Sequence, residues 1–501
     1  MSLLTLDRWI RDRARATPAR IAIDHLDRAT TYAELDEASE RLAGALLAAG
    51  LERGDRVATL TGNRPEHVAL LFACAKAGLI LLPLGWRLAP AELAGQLDDA
   101  EPALILVEDD HARLADEALG AARVAPRRER LEDAAGWDAS PHSLSVADED
   151  PLLLVYTSGS TGLPKGALLT HANCFWTNLG FDLACGVTAD DVVLGVLPQF
   201  HVGGWNVQTL LAWWKGATVV LERSFDAART LALIERKRVT TMMGVPATYL
   251  FLAQEPRFAA TDLSSLRLAV VGGAPMPEPL LEVWQERGVS IVQGYGLTEA
   301  APNVLCLPPE HALRKRGSAG RPYPFVEVGL RDLASGRLLR GPAQGELVVR
   351  GPNVFAGYWR NEAASAEAFA DGWLLTGDVA DRDEEGDYRI SGRLKDMYIS
   401  GGENVYPAEV EAVLADAPGV VEAAVVAVPD ERWGEVGVAF VVLEEAVAGA
   451  EQALLDHCGS RLARFKVPRA VRVVAELPRS GLGKVLKGEL RALLEREVVA
   501  G

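Results

Sequence analysis

The apolar run Leu152-Leu153-Leu154-Val155 passes without a break into Tyr156-Thr157-Ser158-Gly159-Ser160-Thr161-Gly162-Leu163-Pro164-Lys165-Gly166. Such a run reads as a buried strand, and the residues after it are built to turn and to hold an anion. Glycines let the backbone approach a ligand closely, and successive N–H groups with hydroxyls make a concave anion site. Lys165 adds a full positive charge. The stretch therefore reads as a phosphate cradle at the end of a core strand. It departs from the common P-loop, which closes on Gly-Lys-Ser/Thr: here Pro164 precedes the lysine and Gly166 follows it.

The chain before the cradle alternates strand and helix. Ile21-Ala22-Ile23-Asp24 reads as a strand, and Thr31-Tyr32-Ala33-Glu34 opens a helix with a capping-box pattern that runs to Gly50. Arg56 to Leu60 predicts a strand, Pro65 to Ala77 a helix, and Leu79 to Leu84 and Leu104 to Val107 two more strands. The Arg/Glu-rich stretch from there to residue 150 is the least defined. Strands alternating with helices argue for mostly parallel sheets flanked by helices. From residue 397 the pattern is α+β. Pro407 starts a helix, Val420 to Val428 and Val436 to Leu443 alternate as strands, Gln452 to Leu462 is helical, and Val471 to Ala475 is a short strand. The fold class is α/β, with a large N-terminal domain and a small α+β C-terminal domain.

At 501 residues the chain is long enough for more than one domain and a large core. A net charge of −18 repels nucleic acid and anionic membrane, so neither is expected as a partner. The most hydrophobic stretch, Ala69 to Leu84, is interrupted by Lys76 and is too short to span a bilayer; it predicts a core helix followed by a strand. Cys74, Cys174, Cys185, Cys306 and Cys458 lack metal-ligand spacing and read as reduced, mostly buried thiols of a cytoplasmic protein. The start of the chain shows no signal-peptide pattern. A homodimer is left open.

Further motifs follow the cradle. Leu197-Pro198-Gln199-Phe200-His201-Val202-Gly203-Gly204-Trp205 sets a histidine among apolar and glycine residues, where packing is a commoner role than chemistry. Leu268-Ala269-Val270-Val271-Gly272-Gly273-Ala274-Pro275 is a strand and a glycine turn, and Gln293-Gly294-Tyr295-Gly296-Leu297-Thr298-Glu299 follows it. Tyr295 offers an aromatic face, and Thr298 and Glu299 a hydroxyl and a carboxylate. Trp373-Leu374-Leu375-Thr376-Gly377-Asp378 ends on a further carboxylate. Arg393, Lys395, Gly401 and Gly402 lie in the segment from Tyr388 to Asn404, and Leu477-Pro478-Arg479-Ser480-Gly481-Leu482-Gly483-Lys484 is a basic glycine loop.

Taken together these motifs resemble the adenylate-forming superfamily of acyl-CoA synthetases, peptide-synthetase adenylation domains and firefly luciferase. The likeness covers most of the chain and is nearest to fatty-acyl and aryl CoA ligases. It implies a domain of residues 1–392, a hinge at 393–396 around Lys395, and a mobile lid of residues 397–501 that carries the catalytic Lys484. ATP would be held by Thr157, Ser158, Gly159, Ser160, Thr161, Gly162 and Lys165, by Gly272, Gly273, Ala274, Tyr295 and Gly296, and by Thr298, Asp378, Arg393 and Lys484. Thr298 and Glu299 join Lys484 as catalytic residues, Glu299 through Mg²⁺. His201 would gate the carboxylate entrance. The acyl pocket would comprise His201, Gly203, Trp205, Gly272, Gly296 and Ala300, with Trp205 shortening it. Coenzyme A would pass Gly401 and Gly402 and meet Trp433, Phe465 and Arg469. Two departures stand out: Gly85 where asparagine is frequent, and Val467 where a relative carries a basic residue.

The implied reaction is a two-step ATP-dependent ligation of a carboxylic acid to coenzyme A, first to acyl-AMP and pyrophosphate, then to acyl-CoA and AMP. The pocket residues carry no cation for a second carboxylate, which disfavours malonate-type and amino acids and leaves fatty or aromatic ones. Two other readings exist: an acyl-AMP ligase delivering to a carrier protein, and a nucleotide-binding regulator without catalysis. The expectation is that no carrier domain follows residue 501 and no insertion precedes the hinge, which with the candidate CoA segments favours coenzyme A as acceptor. Lys165, Glu299, Asp378, Arg393 and Lys484 together speak against the regulator.

Overall fold

A computed structural model gives the structure of residues 4–137, 145–158, 164–400, 403–430, 433–445, 449–462, 464–479 and 485–500. The chain forms two compact units. One comprises residues 1–276, 280–328 and 348–375, the other residues 277–279, 329–347 and 376–501.

The first unit is built on two sheets. The smaller has six strands in the order Arg127–Arg130, Leu104–Val107, Arg56–Leu60, Ile80–Pro83, Pro151–Ser158 and Pro164–Thr170, all parallel except the last pair. The larger has nine. Six mutually parallel strands, Ile291–Gly296, Leu268–Val271, Thr241–Gly244, Val192–Gly195, Thr218–Leu221 and Ile21–His25, form its centre, and antiparallel strands finish both edges. Leu268–Val271 is a continuous, fully buried apolar run, as expected where both faces of a parallel sheet are covered.

Local chemistry sets the elements. Thr31 caps the helix Tyr32–Ala48 by accepting from the Glu34 N–H, and the Glu34 carboxylate accepts from the Thr31 N–H at 2.7 Å, the expected capping box. The hydrophobic stretch resolves into the helix Pro65–Ala77 and the strand Ile80–Pro83. Proline occupies the first turn of that helix, and Gly78 ends it in the left-handed region at φ 66°. All its residues from His67 to Ala77 are buried, as befits a helix without a polar face. Lys76 is tolerated there because its ammonium reaches Asp36 at 2.6 Å and Glu40 at 3.1 Å. The stretch to residue 150 contains the helix Ala112–Ala121 and the strand Arg127–Arg130. That strand is an edge strand of charged residues, which carries no apolar alternation to read.

The second unit is α+β. Its long antiparallel pair, Val420–Asp430 with Gly434–Leu443, is joined by Tyr398–Ser400, Glu403–Val405 and Ala470–Val473. Side chains alternate across the sheet. Val425, Ala439 and Val441 pack with Val410, Leu414 and Leu454 of the helices Pro407–Ala415 and Ala450–Gly459. Ala424, Val426, Val438 and Phe440 pack on the opposite face with Leu477 and Leu490. Lys487 begins the last helix, Lys487–Ala500, and pairs with Glu411 at 2.7 Å. Among the described residues, no helix is long and apolar enough to cross a membrane.

Candidate functional site

Pro151–Ser158 and Pro164–Thr170 pair antiparallel, with Thr157 opposite Lys165 and Ser158 opposite Pro164. The connecting cradle residues Gly159, Ser160, Thr161 and Gly162 lie outside the described residues, as do Gly401, Gly402 and Lys484. What is described is the base of the cradle. Thr157 Oγ1 stands 3.4 Å from both Lys165 O and Glu299 Oε1. Tyr358 Oη donates to the same Glu299 oxygen at 2.9 Å, and Lys165 Nζ sits 5.3 Å from the centre of the Tyr358 ring. Burial, then the neighbouring Glu299 charge, pushes the Tyr358 phenol well above its ordinary pKa, so it stays a donor.

Glu299 lies in a single turn, Thr298–Ala300, pinned by its surroundings. Its carbonyl accepts from the Phe355 N–H at 2.9 Å, and Asn353 Nδ2 donates to Ala300 O at 2.8 Å. Gly296 enters this turn so closely that a β-carbon there would lie 2.0 Å from Pro302 O. One half-buried carboxylate beside a threonine hydroxyl suits Mg²⁺ that arrives with a nucleotide, because phosphate oxygens and water complete its shell. Among the described residues, no cluster of three or more histidine, cysteine or acidic side chains forms a resident metal site.

The other candidates leave the carboxyl ends of adjacent parallel strands, where open α/β sheets bind ligands. Val271 and Gln293 are in register, so Gly272–Ala274 and Gly294–Gly296 emerge side by side. Gly273 takes φ +81°, and a β-carbon on Gly272 would lie 3.0 Å from Met243 Cε. Tyr295 is half-buried and Ala274 exposed. His201, half-buried, precedes the short helix Val202–Asn206, its ring 4.6 Å from Phe200.

A small void of about 10 Å³, room for a single water, lies beside these strand ends, lined by Leu194, Gly195, Val196, Leu197, Gly203, Gly204, Gln208, Thr209, Leu221 and Met243. Trp205 is not among them: it is fully buried, its indole edge-on to His67 at 5.0 Å between ring centres. Ala300 is buried as well.

In the second unit Arg393 Nε reaches Asp378 Oδ1 at 2.7 Å, across the antiparallel pair in which the two residues are in register. The Asp378 side chain is 4% exposed and that of Arg393 48%. The turn before Asp378 is held by Thr376, whose hydroxyl donates to Leu347 O at 2.6 Å and accepts from the Asp378 N–H at 3.0 Å. Lys395 is exposed in the turn Leu394–Asp396. Asp430 gathers two of the predicted CoA residues: its Oδ1 accepts from the Trp433 N–H at 2.9 Å and its Oδ2 lies 3.8 Å from Arg469 Nη1. Phe465 is half-buried against the core instead.

Residues 10–359 match the family model for AMP-binding enzymes, and residues 409–484 match the AMP-binding enzyme C-terminal domain. The chain belongs to the AMP-binding enzyme family. This AMP-binding enzyme is 44% identical over 486 residues to a feruloyl-CoA synthase of Amycolatopsis sp, covering 97% of the chain and 98% of the relative. It is 43% identical over 506 residues to an indoleacetate–CoA ligase of Aromatoleum aromaticum, covering 99% of each. Its fold superimposes on the o-succinylbenzoate CoA synthetase of Bacillus subtilis bound to the acyl-adenylate OSB-AMP, with a TM-score of 0.88, 34% identity, and coverage of 96% of this chain and 97% of that one. That synthetase is also solved with ATP and magnesium ion. The AMP-binding enzyme described here is thus an AMP-forming acid–thiol ligase that uses ATP, Mg²⁺ and coenzyme A.

One residue beside Glu299 escaped the sequence. Tyr358 lies 59 residues beyond Glu299, and no spacing connects them.

Proposed function

We propose that this ligase activates an aromatic acid with a short acyl linker, and that the base of the cradle is where its nucleotide phosphates bind. The observation that carries this reading is Glu299, held by Tyr358 and placed beside Thr157 and Lys165. The aromatic acid is supported by the feruloyl and indoleacetate ligases, each matched over nearly the whole chain.

In the first step a carboxylate oxygen attacks the α-phosphorus, the bond to pyrophosphate breaks, and a mixed anhydride with AMP forms. A carboxylate has no usable leaving group of its own; the adenylate supplies one. The protein's work is in-line placement and neutralisation of phosphate charge. Thr298 would hydrogen-bond the α-phosphate, Lys165 and the cradle would receive pyrophosphate, and Lys484 would place its charge on the α-phosphate side. Glu299 would hold Mg²⁺, which when bound neutralises phosphate charge. Tyr295 and Gly272–Ala274 would clasp the adenine, and Asp378 and Arg393 the ribose. In the second step the thiolate of coenzyme A attacks the acyl carbon and AMP leaves. Trp433, Phe465 and Arg469 would meet the CoA nucleotide, with Gly401 and Gly402 beside its slender arm. We place the hinge at 393–396, with residues 397–501 turning about Lys395 between steps. The free thiols suit a reducing compartment, the cytoplasm.

The test separates the half-reactions. Lys484→Ala should abolish pyrophosphate release from ATP and acid yet still convert supplied acyl-AMP to the thioester. Lys395→Pro should do the reverse. Equal loss of both half-reactions in both variants would remove these assignments.

A further inference from the structure

The segment that carries His201 leaves the carboxyl end of the strand Val192–Gly195, on the sheet edge from which Gly272–Ala274 and Gly294–Gly296 also emerge. A side chain from the other sheet holds it there. Asn63 follows the strand Arg56–Leu60 of the six-stranded sheet and is 2% exposed. Its Nδ2 donates to Leu197 O at 2.9 Å and to Glu222 O at 3.1 Å, and its Oδ1 accepts from the Gln199 N–H at 2.8 Å. One amide thereby ties its own loop to two others, with its nitrogen and its oxygen both engaged. A buried polar group met in this way rigidifies what it joins.

The grip reaches the histidine through a tight turn. The His201 N–H donates to Pro198 O at 3.2 Å, so Leu197 and Gln199, the two residues that Asn63 holds, stand before and inside the turn Pro198–His201. On its far side the turn is packed against Gly204, where a β-carbon would lie 2.3 Å from Pro198 O. Asn63 is itself anchored. Glu108, 3% exposed, accepts from the Gly62 N–H at 2.9 Å and from Arg223 Nη1 at 2.5 Å, and Arg223 O accepts from the Asn63 N–H at 3.3 Å. We propose that Asn63 is a positioning residue of the ligation, setting the His201 turn where the carboxylic acid enters. It acts through the turn and not by contact with the acid. The inference rests on the reading that His201 gates the carboxylate entrance.

The test is a double-mutant cycle on kcat/KM for AMP formation, run with whichever of indole-3-acetic, 3-phenylpropenoic and decanoic acid turns over fastest. Asn63→Ala should lower kcat/KM for the acid about tenfold or more, through a raised KM, because a displaced positioning group is costly. The KM for MgATP should stay within about twofold of the parent. In the His201→Ala background the same substitution should cost less than about threefold, since residues that act as one unit are not additive. Hydrogen exchange gives a second reading: the peptide Leu197–Val202 should be protected in the wild-type protein and exchange faster in Asn63→Ala, with the strand Thr218–Leu221 unchanged. A full loss in the His201→Ala background, or an equal rise in both KM values, would overturn the Asn63 assignment alone. An unprotected wild-type peptide would do the same without any variant having to fold. A His201→Ala enzyme with the parent's kcat/KM for the acid would overturn the reading of His201 and the inference with it.

Discussion

Tyr358 Oη donates to Glu299 Oε1 across 2.9 Å, and the Lys165 ammonium stands 5.3 Å from the centre of the same tyrosine ring. One side chain thus fixes the direction of the carboxylate and offers a π face to the cation. A hydrogen bond to a charged group contributes more than a neutral one, and here it also selects a rotamer. Tyr358→Phe keeps the ring under Lys165 and removes only the hydroxyl. It should raise the apparent KM for MgATP by about three- to tenfold, read from initial rates at varied Mg²⁺ and ATP. An unchanged KM would mean that Glu299 needs no such support.

Asp378 and Arg393 form a pair whose acidic member is almost fully buried. If Asp378 binds the ribose, Asp378→Asn removes the charge but keeps the shape. It should raise the KM for ATP by about tenfold or more, while the KM for acyl-AMP supplied in the second half-reaction rises in parallel. ATP saturation curves and acyl-AMP consumption provide the two readings.

Gly203 and Gly204 are neighbours with opposite expectations. A β-carbon on Gly204 would lie 2.3 Å from Pro198 O, whereas one on Gly203 meets only Leu197 Cδ1 at 3.8 Å. Gly204→Ala should destabilise the fold by about 2 kcal/mol or more, visible in a urea melt. Gly203→Ala should fold with little loss, because its β-carbon makes only an ordinary van der Waals contact. The same urea melt on both variants separates these outcomes.

His67 is fully buried, 3.1 Å from Thr59 Oγ1, and burial with help from the Arg64 charge pushes its pKa down from 6.5 to about 3. The folded state keeps the ring neutral while the unfolded chain takes up a proton below its ordinary pKa. Stability should therefore fall as pH drops from 6.5 toward 3, by up to about 1.4 kcal/mol per pH unit from this group. In urea melts between pH 7 and pH 4.5, His67→Gln should show a shallower slope than the parent. Parallel slopes would assign the acid sensitivity to other groups.

Much of the fold was legible because its signals are local. Thr31 and Glu34, Pro65 and Gly78, and the apolar runs at Arg56–Leu60, Leu104–Val107 and Leu268–Val271 each mark an element within a few residues. The charged edge strand Arg127–Arg130 was not legible, since an edge strand needs neither apolar alternation nor β-branched residues.

The site divides along the same line. The sequence determined which residue types are on offer: the hydroxyls and lysine of the cradle, the Thr298-Glu299 pair, and Asp378 and Arg393 in two separate motifs. Only the tertiary structure decided what those groups touch. It brought Tyr358 to Glu299 and set Trp205 edge-on against His67. Contacts between segments far apart in the chain depend on how sheets and helices pack, and nearest-neighbour chemistry does not encode that packing.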